Sequence, residues 1–398
     1  MTGMEQQTSN HSRPTGTDAR LWRIRDASDP RIREAGRILR EGGLVAFPTE
    51  TVYGLGANGL DGPAAARIFA AKQRPADNPL ILHVASLEQA KALASEWNAK
   101  AQLAAEKLWP GPLTLIVPAA EHIPKEVTAG LSTVAIRYPD HPIALALIEA
   151  AGVPVAAPSA NRSGRPSPTL AEHVLEDLGD QVQVILDGGP CRVGLESTIL
   201  DVSVEPPAIL RPGEITAETL SRLLGPVRAE QPHGVKPLPG QFSDGTETAA
   251  KPADEKGPKA PGMKYRHYAP KAPVTLLAGT PEKTAAYLKA VLAAETGSGL
   301  AEEREKPSGK IGLLLTEETW DILHRERANW QKDFYCRSMG SFYRPKDMGR
   351  LLYDELRRCD QEGVRHIYIE ACSRQGSGAA VMNRLVKASG NRVVDVDA

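Results

Sequence analysis

The chain has 398 residues, more than one hydrophobic core usually serves, so two domains are the first expectation. Hydrophobic residues make up 41%, and 48 basic against 49 acidic residues leave a net charge of −1. A protein that holds nucleic acid mainly by neutralising phosphates carries a basic surplus, so this balance argues against a dedicated nucleic-acid binder while leaving room for a local basic groove.

Residues 1–20 are polar and lack the apolar core of a signal peptide, and they read as a disordered tail. From Leu21 to about Gly225, short apolar runs alternate with helical patterns. Helix is expected over Arg31–Arg40, strand over Leu44–Phe47, helix over Pro63–Lys72 and strand over Leu80–Val84. Helix Ala99–Leu108, strands Leu113–Val117 and Thr133–Tyr138, and helix Pro142–Ala151 follow. Strand Val153–Ala157, helix Thr169–Leu178, and strands Val184–Asp187, Ser197–Val202 and Ala208–Arg211 complete the set. This alternation predicts an α/β domain over 21–225, and the adjacent strand pairs make its sheet mixed. Gly225–Ala260 is rich in Pro, Gly, Lys and Glu and too poor in large apolar residues to order itself, which marks a linker, taken as 226–270. Strands Val274–Ala278, Ile311–Leu315 and His366–Ile369, with helices Glu282–Ala294, Lys346–Asp360 and Ala379–Ala388, predict a smaller βαβ domain over 271–398.

No apolar run is long enough to span a bilayer. Cys191, Cys336, Cys359 and Cys372 are scattered without a CxxC pair, so neither a zinc site nor a disulfide framework is expected, and a reducing cytoplasm is the simplest setting.

The densest chemical signal is Pro48–Gly56, PTETVYGLG, directly after a buried strand, where open α/β sheets bind ligands. Its threonines, tyrosine and glycines fit a ligand loop and fit a polar turn equally well. Lys72 and Arg74 at a helix end, with Asn78 and His83 nearby, suit a polyphosphate clamp, although helix-end cations also serve as simple dipole partners and His83 as a structural strand histidine. Ser159 and Asn161 in APSAN can present donors to one ligand, or form a turn before the next helix. Gly188, Gly189 and Gly194 lead to Glu196–Thr198, another small hydroxyl cluster at a strand edge. The chain has no GxxxxGK[ST] loop, no HExxH and no GxSxG elbow, which removes Walker-type ATPases, zincins and serine hydrolases of that kind.

Taken in order, PTETVYGLG (48–56), KQRPADNPLILHV (72–84), WPGPLTLIV (109–117), STVAIRYPDHP (132–142), APSAN (157–161), RPSPT (165–169), DGG (187–189), ESTI (196–199) and LRPG (210–213) resemble the YrdC family in its two-domain threonylcarbamoyl-AMP synthase form. PGMKYRHYAP (261–270) resembles the linker end that folds back over the active site in that family, and GSGAAVMNRLVKAS (376–389) the end of its accessory domain. The resemblance implies an open twisted mixed sheet with a smaller Rossmann-like domain. It implies a cytoplasmic nucleotidyltransferase that condenses L-threonine, bicarbonate and ATP, with Mg²⁺ bridging the phosphates, and releases pyrophosphate. The product would pass to the tRNA threonylcarbamoyl-transferase machinery, with weak or no direct tRNA binding and no membrane partner. By motif position, Thr51, Tyr53, His83, Arg137, Ser159 and Ser197 are expected at the threonine or carbamate. Lys72, Arg74, Asn78, Thr133, Asn161, Ser167, Arg211 and Tyr265 are expected at the ATP, with Lys72, Arg74, Ser159 and Asn161 carrying the catalytic load. No metal ligand is identified. Rival readings are an RNA-binding module, the YrdC-like part of hydrogenase-maturation carbamoyltransferases, whose CxxC pairs are missing here, and an ATP sensor.

Overall fold

The computed structural model describes residues 19–229, 267–296, 309–326 and 334–397. Residues 1–18 of the expected tail 1–20, most of the linker and Tyr265 lie outside them, while Arg20 at the end of that tail is already in a strand, paired with Val184.

Among the described residues, the large domain is built on strands β1 (Arg20–Arg23), β2 (Val45–Phe47), β3 (Gly54–Asn58), β4 (Ile81–His83), β5 (Leu113–Pro118), β6 (Thr133–Arg137), β7 (Val155–Ala156), β8 (Val184–Asp187), β9 (Thr198–Asp201), β10 (Ala208–Arg211) and β11 (Arg228–Ala229). They form one mixed sheet in the order β1-β8-β2-β3-β7-β4-β6-β5-β9-β10-β11. Helices α1 (Arg31–Arg40) and α6 (Pro142–Ala151) pack against β2, β7 and β8 through Ile32, Leu39, Leu147 and Ile148. Helices α2 (Gly62–Lys72), α3 (Leu87–Ala92), α4 (Ala99–Leu108), α5 (Lys125–Thr128), α7 (Ala171–Leu178) and α8 (Ala217–Leu224) accompany the larger core around Leu55, Ile68, Leu82 and Leu115.

The small domain has a parallel sheet, β14-β13-β15-β12-β16, made of β12 (Val274–Ala278), β13 (Ile311–Leu315), β14 (Phe334–Ser338), β15 (His366–Glu370) and β16 (Val393–Asp395). Its helices are α9 (Pro281–Thr296), α10 (Glu317–Glu326), α11 (Pro345–Gln361) and α12 (Gly378–Ala388). The mixed α/β class and the second βαβ domain are as the sequence predicts. No described helix is long and apolar enough to cross a membrane.

Some elements depart from expectation: Arg228–Ala229, inside the expected linker, is a strand paired with β10. Gly54–Asn58, read as part of a loop, is a strand antiparallel to both β2 and β7. A Cβ on Gly56 would lie 2.9 Å from the Phe47 ring and 2.9 Å from a Val155 methyl, so this glycine serves close strand packing. Strands that need glycine carry a weak local signal.

Helix α2 places the first cationic cluster. Asp61 caps it by accepting from Ala64 N at 3.2 Å, and Gln73 ends it in the left-handed region at φ 51°, so Lys72 and Arg74 turn back under the sheet's loops. The two domains share a core: Val52 and Leu195 of the large domain pack with Tyr353, Val381 and Leu385 of the small one. At Gly194, φ 78°, a Cβ would stand 2.6 Å from Arg350 Cα, so only glycine admits α11 this closely.

Candidate active site

Strand register builds the floor of the site. His83 on β4 is paired with Arg137 on β6, and Arg137 with Thr114 on β5, so the three side chains share one sheet face. Thr114 Oγ1 lies 2.7 Å from Ser197 Oγ, and Arg211 donates to Ser197 through Nε (to O, 3.1 Å) and Nη2 (to Oγ, 3.1 Å). An open cleft lies over this row. Arg74, His83, Arg137, Ser159, Asn161, Ser167, Ser197 and Arg211 all line it, which brings eight of the expected residues together.

The loop after β7 forms one wall. Ser159 Oγ donates to Asn161 Oδ1 at 2.6 Å, and Asn161 Nδ2 donates to Arg162 O and Arg165 O at 2.8 and 2.9 Å. Arg74 Nη2 donates to the carbonyls of Asn78 and Pro79, each at 3.1 Å.

Charge in the cleft is lopsided: Arg74, Arg137, Arg165 and Arg211 line it with one carboxylate, Glu196. Although burial opposes ionisation of Glu196, Arg384, Arg211 and the Ser167 hydroxyl hold it down to about 2, so it stays charged. Burial, then Arg137, lowers His83 to about 3; burial, then Arg74, lowers His267 to about 4. Both imidazoles are therefore neutral near pH 7, and the arginines supply the positive field. Arg137 Nη2 also contacts the buried Glu50 carboxylate at 2.7 Å, without hydrogen-bond alignment.

A family model described as "Telomere recombination", covering the Sua5, YciO and YrdC group, matches residues 37–213. A second, "Threonylcarbamoyl-AMP synthase, C-terminal domain", matches residues 215–390. The threonylcarbamoyl-AMP synthase of Pyrococcus abyssi is 44% identical over 366 residues, 92% of this chain and 96% of the relative. The chain belongs to the threonylcarbamoyl-AMP synthase family. The Bacillus subtilis threonylcarbamoyl-AMP synthase is 42% identical over 92% of this chain and 95% of its own length. The solved structure of P. abyssi Sua5 complexed with L-threonine superposes with a TM-score of 0.79 at 42% identity, covering 95% of this chain and 99% of that one.

Within this threonylcarbamoyl-AMP synthase family fold, four of the residues expected at the site stand behind the cleft wall and a fifth lies beyond its end. Thr51 is fully buried with its hydroxyl 2.8 Å from that of Thr49, and it is Thr49 that faces the cleft. Tyr53 is fully buried and donates its hydroxyl to Gly189 O at 2.8 Å. Lys72 Nζ donates to the carbonyls of Ser159 and Asn161, under the loop. Asn78 is buried beside Arg74, and Thr133 stands at the opposite end of β6 from Arg137. Conversely, Thr49, Arg165, Glu196, His267 and Tyr268 line the cleft without having been singled out. All five fall inside motifs that carry the family resemblance, His267 and Tyr268 in PGMKYRHYAP, but nothing local sets Glu196 apart from the other carboxylates in those motifs.

The neutral His83 has a stability consequence. Its folded value, about 3, lies below the ordinary 6.5, so below pH 6.5 the unfolded chain takes up a proton that the folded chain refuses. Stability present above pH 6.5 is expected to fall steadily as pH drops from 6.5 towards 3. Urea unfolding of the wild type and of His83→Asn across that range checks it: the variant should show the shallower decline, and equal slopes would refute the assignment.

Proposed function

We propose that this chain joins L-threonine, bicarbonate and ATP into L-threonylcarbamoyladenylate, as a nucleotidyltransferase whose product serves a tRNA threonylcarbamoyl-transferase. The supporting observation is the cleft itself, lined by four arginines, with Ser159 and Asn161 on a hydrogen-bonded wall. Two bond-forming steps are required. The threonine amine attacks the bicarbonate carbon, a proton and hydroxide leave as water, and a carbamate forms. A carbamate oxygen then attacks the α-phosphorus of ATP, and pyrophosphate leaves with the electron pair of the broken P–O bond. Both nucleophiles belong to substrates, so the protein's task is to align anions that repel each other and to stabilise charge spreading over the phosphoryl group.

Arg137, on the sheet floor beside the neutral His83, suits the threonine carboxylate. Ser159 and Asn161, locked to each other and to the Arg162 and Arg165 carbonyls, shape the wall beside the carbamate and phosphate, and a bond from either to substrate would replace one of these. Arg74, Arg165 and Arg211 supply charge for the phosphates. The backing residues Thr51, Tyr53, Lys72 and Asn78 hold those groups in place. Among the described residues no group of three or more His, Cys, Asp or Glu is placed to hold a metal ion, so no step is assigned to a protein-bound metal. Mg²⁺ belongs here with the triphosphate, as its counter-ion.

The test is pyrophosphate release from ATP with L-threonine and bicarbonate each present or omitted, with the adenylate identified by mass spectrometry. Release that needs both co-substrates supports the reaction. Turnover indifferent to either would overturn it.

A further inference from the structure

We propose that Arg384, from the small domain, is a positioning residue for the nucleotide half of the site, acting through Glu196; this rests on the reaction proposed above.

Arg384 is fully buried on α12, yet its guanidinium crosses the domain boundary. Nε donates to Glu196 Oε2 at 3.0 Å, and Nη1 donates to Pro212 O at 2.8 Å. These contacts bracket Arg211 in two ways. Pro212 is its chain neighbour, and Glu196 directly precedes Ser197, which accepts both Arg211 bonds, one at its carbonyl and one at its hydroxyl. Glu196 also accepts from Ser167 Oγ at 2.6 Å, on the wall opposite, and from Tyr353 Oη of α11 at 3.0 Å. One carboxylate thus ties Ser167 directly, and Arg211 through the neighbouring Ser197, to two helices of the small domain, α11 and α12.

The same cluster grips the end of the linker. The Arg384 guanidinium lies 5.7 Å over the Tyr268 ring, and Tyr268 stacks on Tyr353 at 5.3 Å and 28°. Tyr268 is held in the left-handed region, φ 66°, and lines the cleft next to His267. A non-glycine residue in that conformation persists where its surroundings dictate it.

Removing Arg384 leaves a buried carboxylate short of its main partner. Arg211 is the next cation acting on Glu196. Its guanidinium would be drawn toward that charge and away from Ser197, so the nucleotide side of the cleft would lose its geometry. The sheet floor under Arg137 and His83 would be untouched.

The experiment uses the full chain as wild type, Arg384→Met, Arg384→Lys and Glu196→Gln. Expected for Arg384→Met is a rise in KM for ATP of about tenfold or more, with KM for L-threonine within about twofold, as befits loss of one partner of a buried charged pair. Arg384→Lys keeps the charge but not the fork, and should fall between the two. Glu196→Gln combined with Arg384→Met should add nothing beyond the larger single effect. Proportional rises in both KM values, or a lowered melting temperature with neither KM changed, would mean a merely structural role and overturn the proposal. If Arg384→Met does not fold, Arg384→Lys carries the same comparison. ATP affinity by calorimetry without co-substrates separates the two claims. A wild type lacking threonine-dependent turnover sinks the reaction, while the variant-to-wild-type affinity ratio still decides the role of Arg384.

Discussion

Arg137→Met is expected to lower kcat/KM for L-threonine on the order of a hundred- to a thousandfold while ATP affinity changes by less than about threefold. Arg137 is the one cation in the register row His83–Arg137–Thr114, and its rigid strand leaves no neighbour able to swing into its place. His83 cannot substitute, because burial keeps it neutral. Its Nε and Nη2 edge is buried, with Nη2 against Glu50 and no aligned hydrogen bond among the described residues, which fixes the guanidinium on the cleft floor. The same substitution abandons Glu50, which is buried against Arg137 at 2.7 Å, so a stability loss of about 3–5 kcal/mol accompanies it. Arg137→Met with Glu50→Gln separates the effects. The double variant should regain much of the stability in urea unfolding and none of the threonine-dependent turnover. Recovery of both would show that Arg137 serves only the fold.

Lys72→Met should cost both stability and rate, for a reason the sequence does not disclose. As a helix-end cation in a KxR pair, Lys72 reads as a phosphate clamp. In the fold it is fully buried, and burial, then Arg74, pulls its pKa well below the ordinary value. Even as a neutral amine it carries two N–H donors, one for each of the Ser159 and Asn161 carbonyls. Methionine fills the volume and leaves both acceptors unpaired, at about 1–3 kcal/mol each. Release of the loop should reduce turnover by roughly a hundredfold, since misplacing Ser159 and Asn161 by about an ångström is enough. Denaturant unfolding and steady-state kinetics on one preparation check this. Weakened ATP binding with unchanged stability would return Lys72 to the phosphates.

Much of this fold is written locally. Ala99–Leu108, Pro142–Ala151, Val184–Asp187 and Val274–Ala278 are bounded by the structure where composition and periodicity bound them, because each is a continuous apolar or amphipathic run with clear stops. The motifs likewise name loops that meet at the cleft. What they cannot name is which side chain in a loop faces the cleft. Thr49 and Thr51 are chemically identical and two residues apart, and only tertiary packing turns one inward and the other to the ligand side. Thr133 and Arg137 share a strand face, but four residues of strand separate them by roughly 13 Å. The Arg384–Glu196 contact joins positions 188 residues apart, and no local pattern encodes it.

The small domain reaches into the large one at a second place. Arg357, fully buried on α11, donates to both oxygens of the equally buried Asp177 at 3.2 and 2.7 Å, and to Pro166 O at 2.6 Å. With Val52 and Leu195 embedded in the small domain's apolar core, neither half has a finished surface of its own. Cooperativity follows from that shared interior. Calorimetry of the whole chain should record one unfolding transition, and a second endotherm from an independently melting half would contradict it. For an enzyme whose cleft loops are braced from the neighbouring domain, damage in α11 or α12 is then felt as loss of the whole molecule, and thermal resistance becomes a property of the pair.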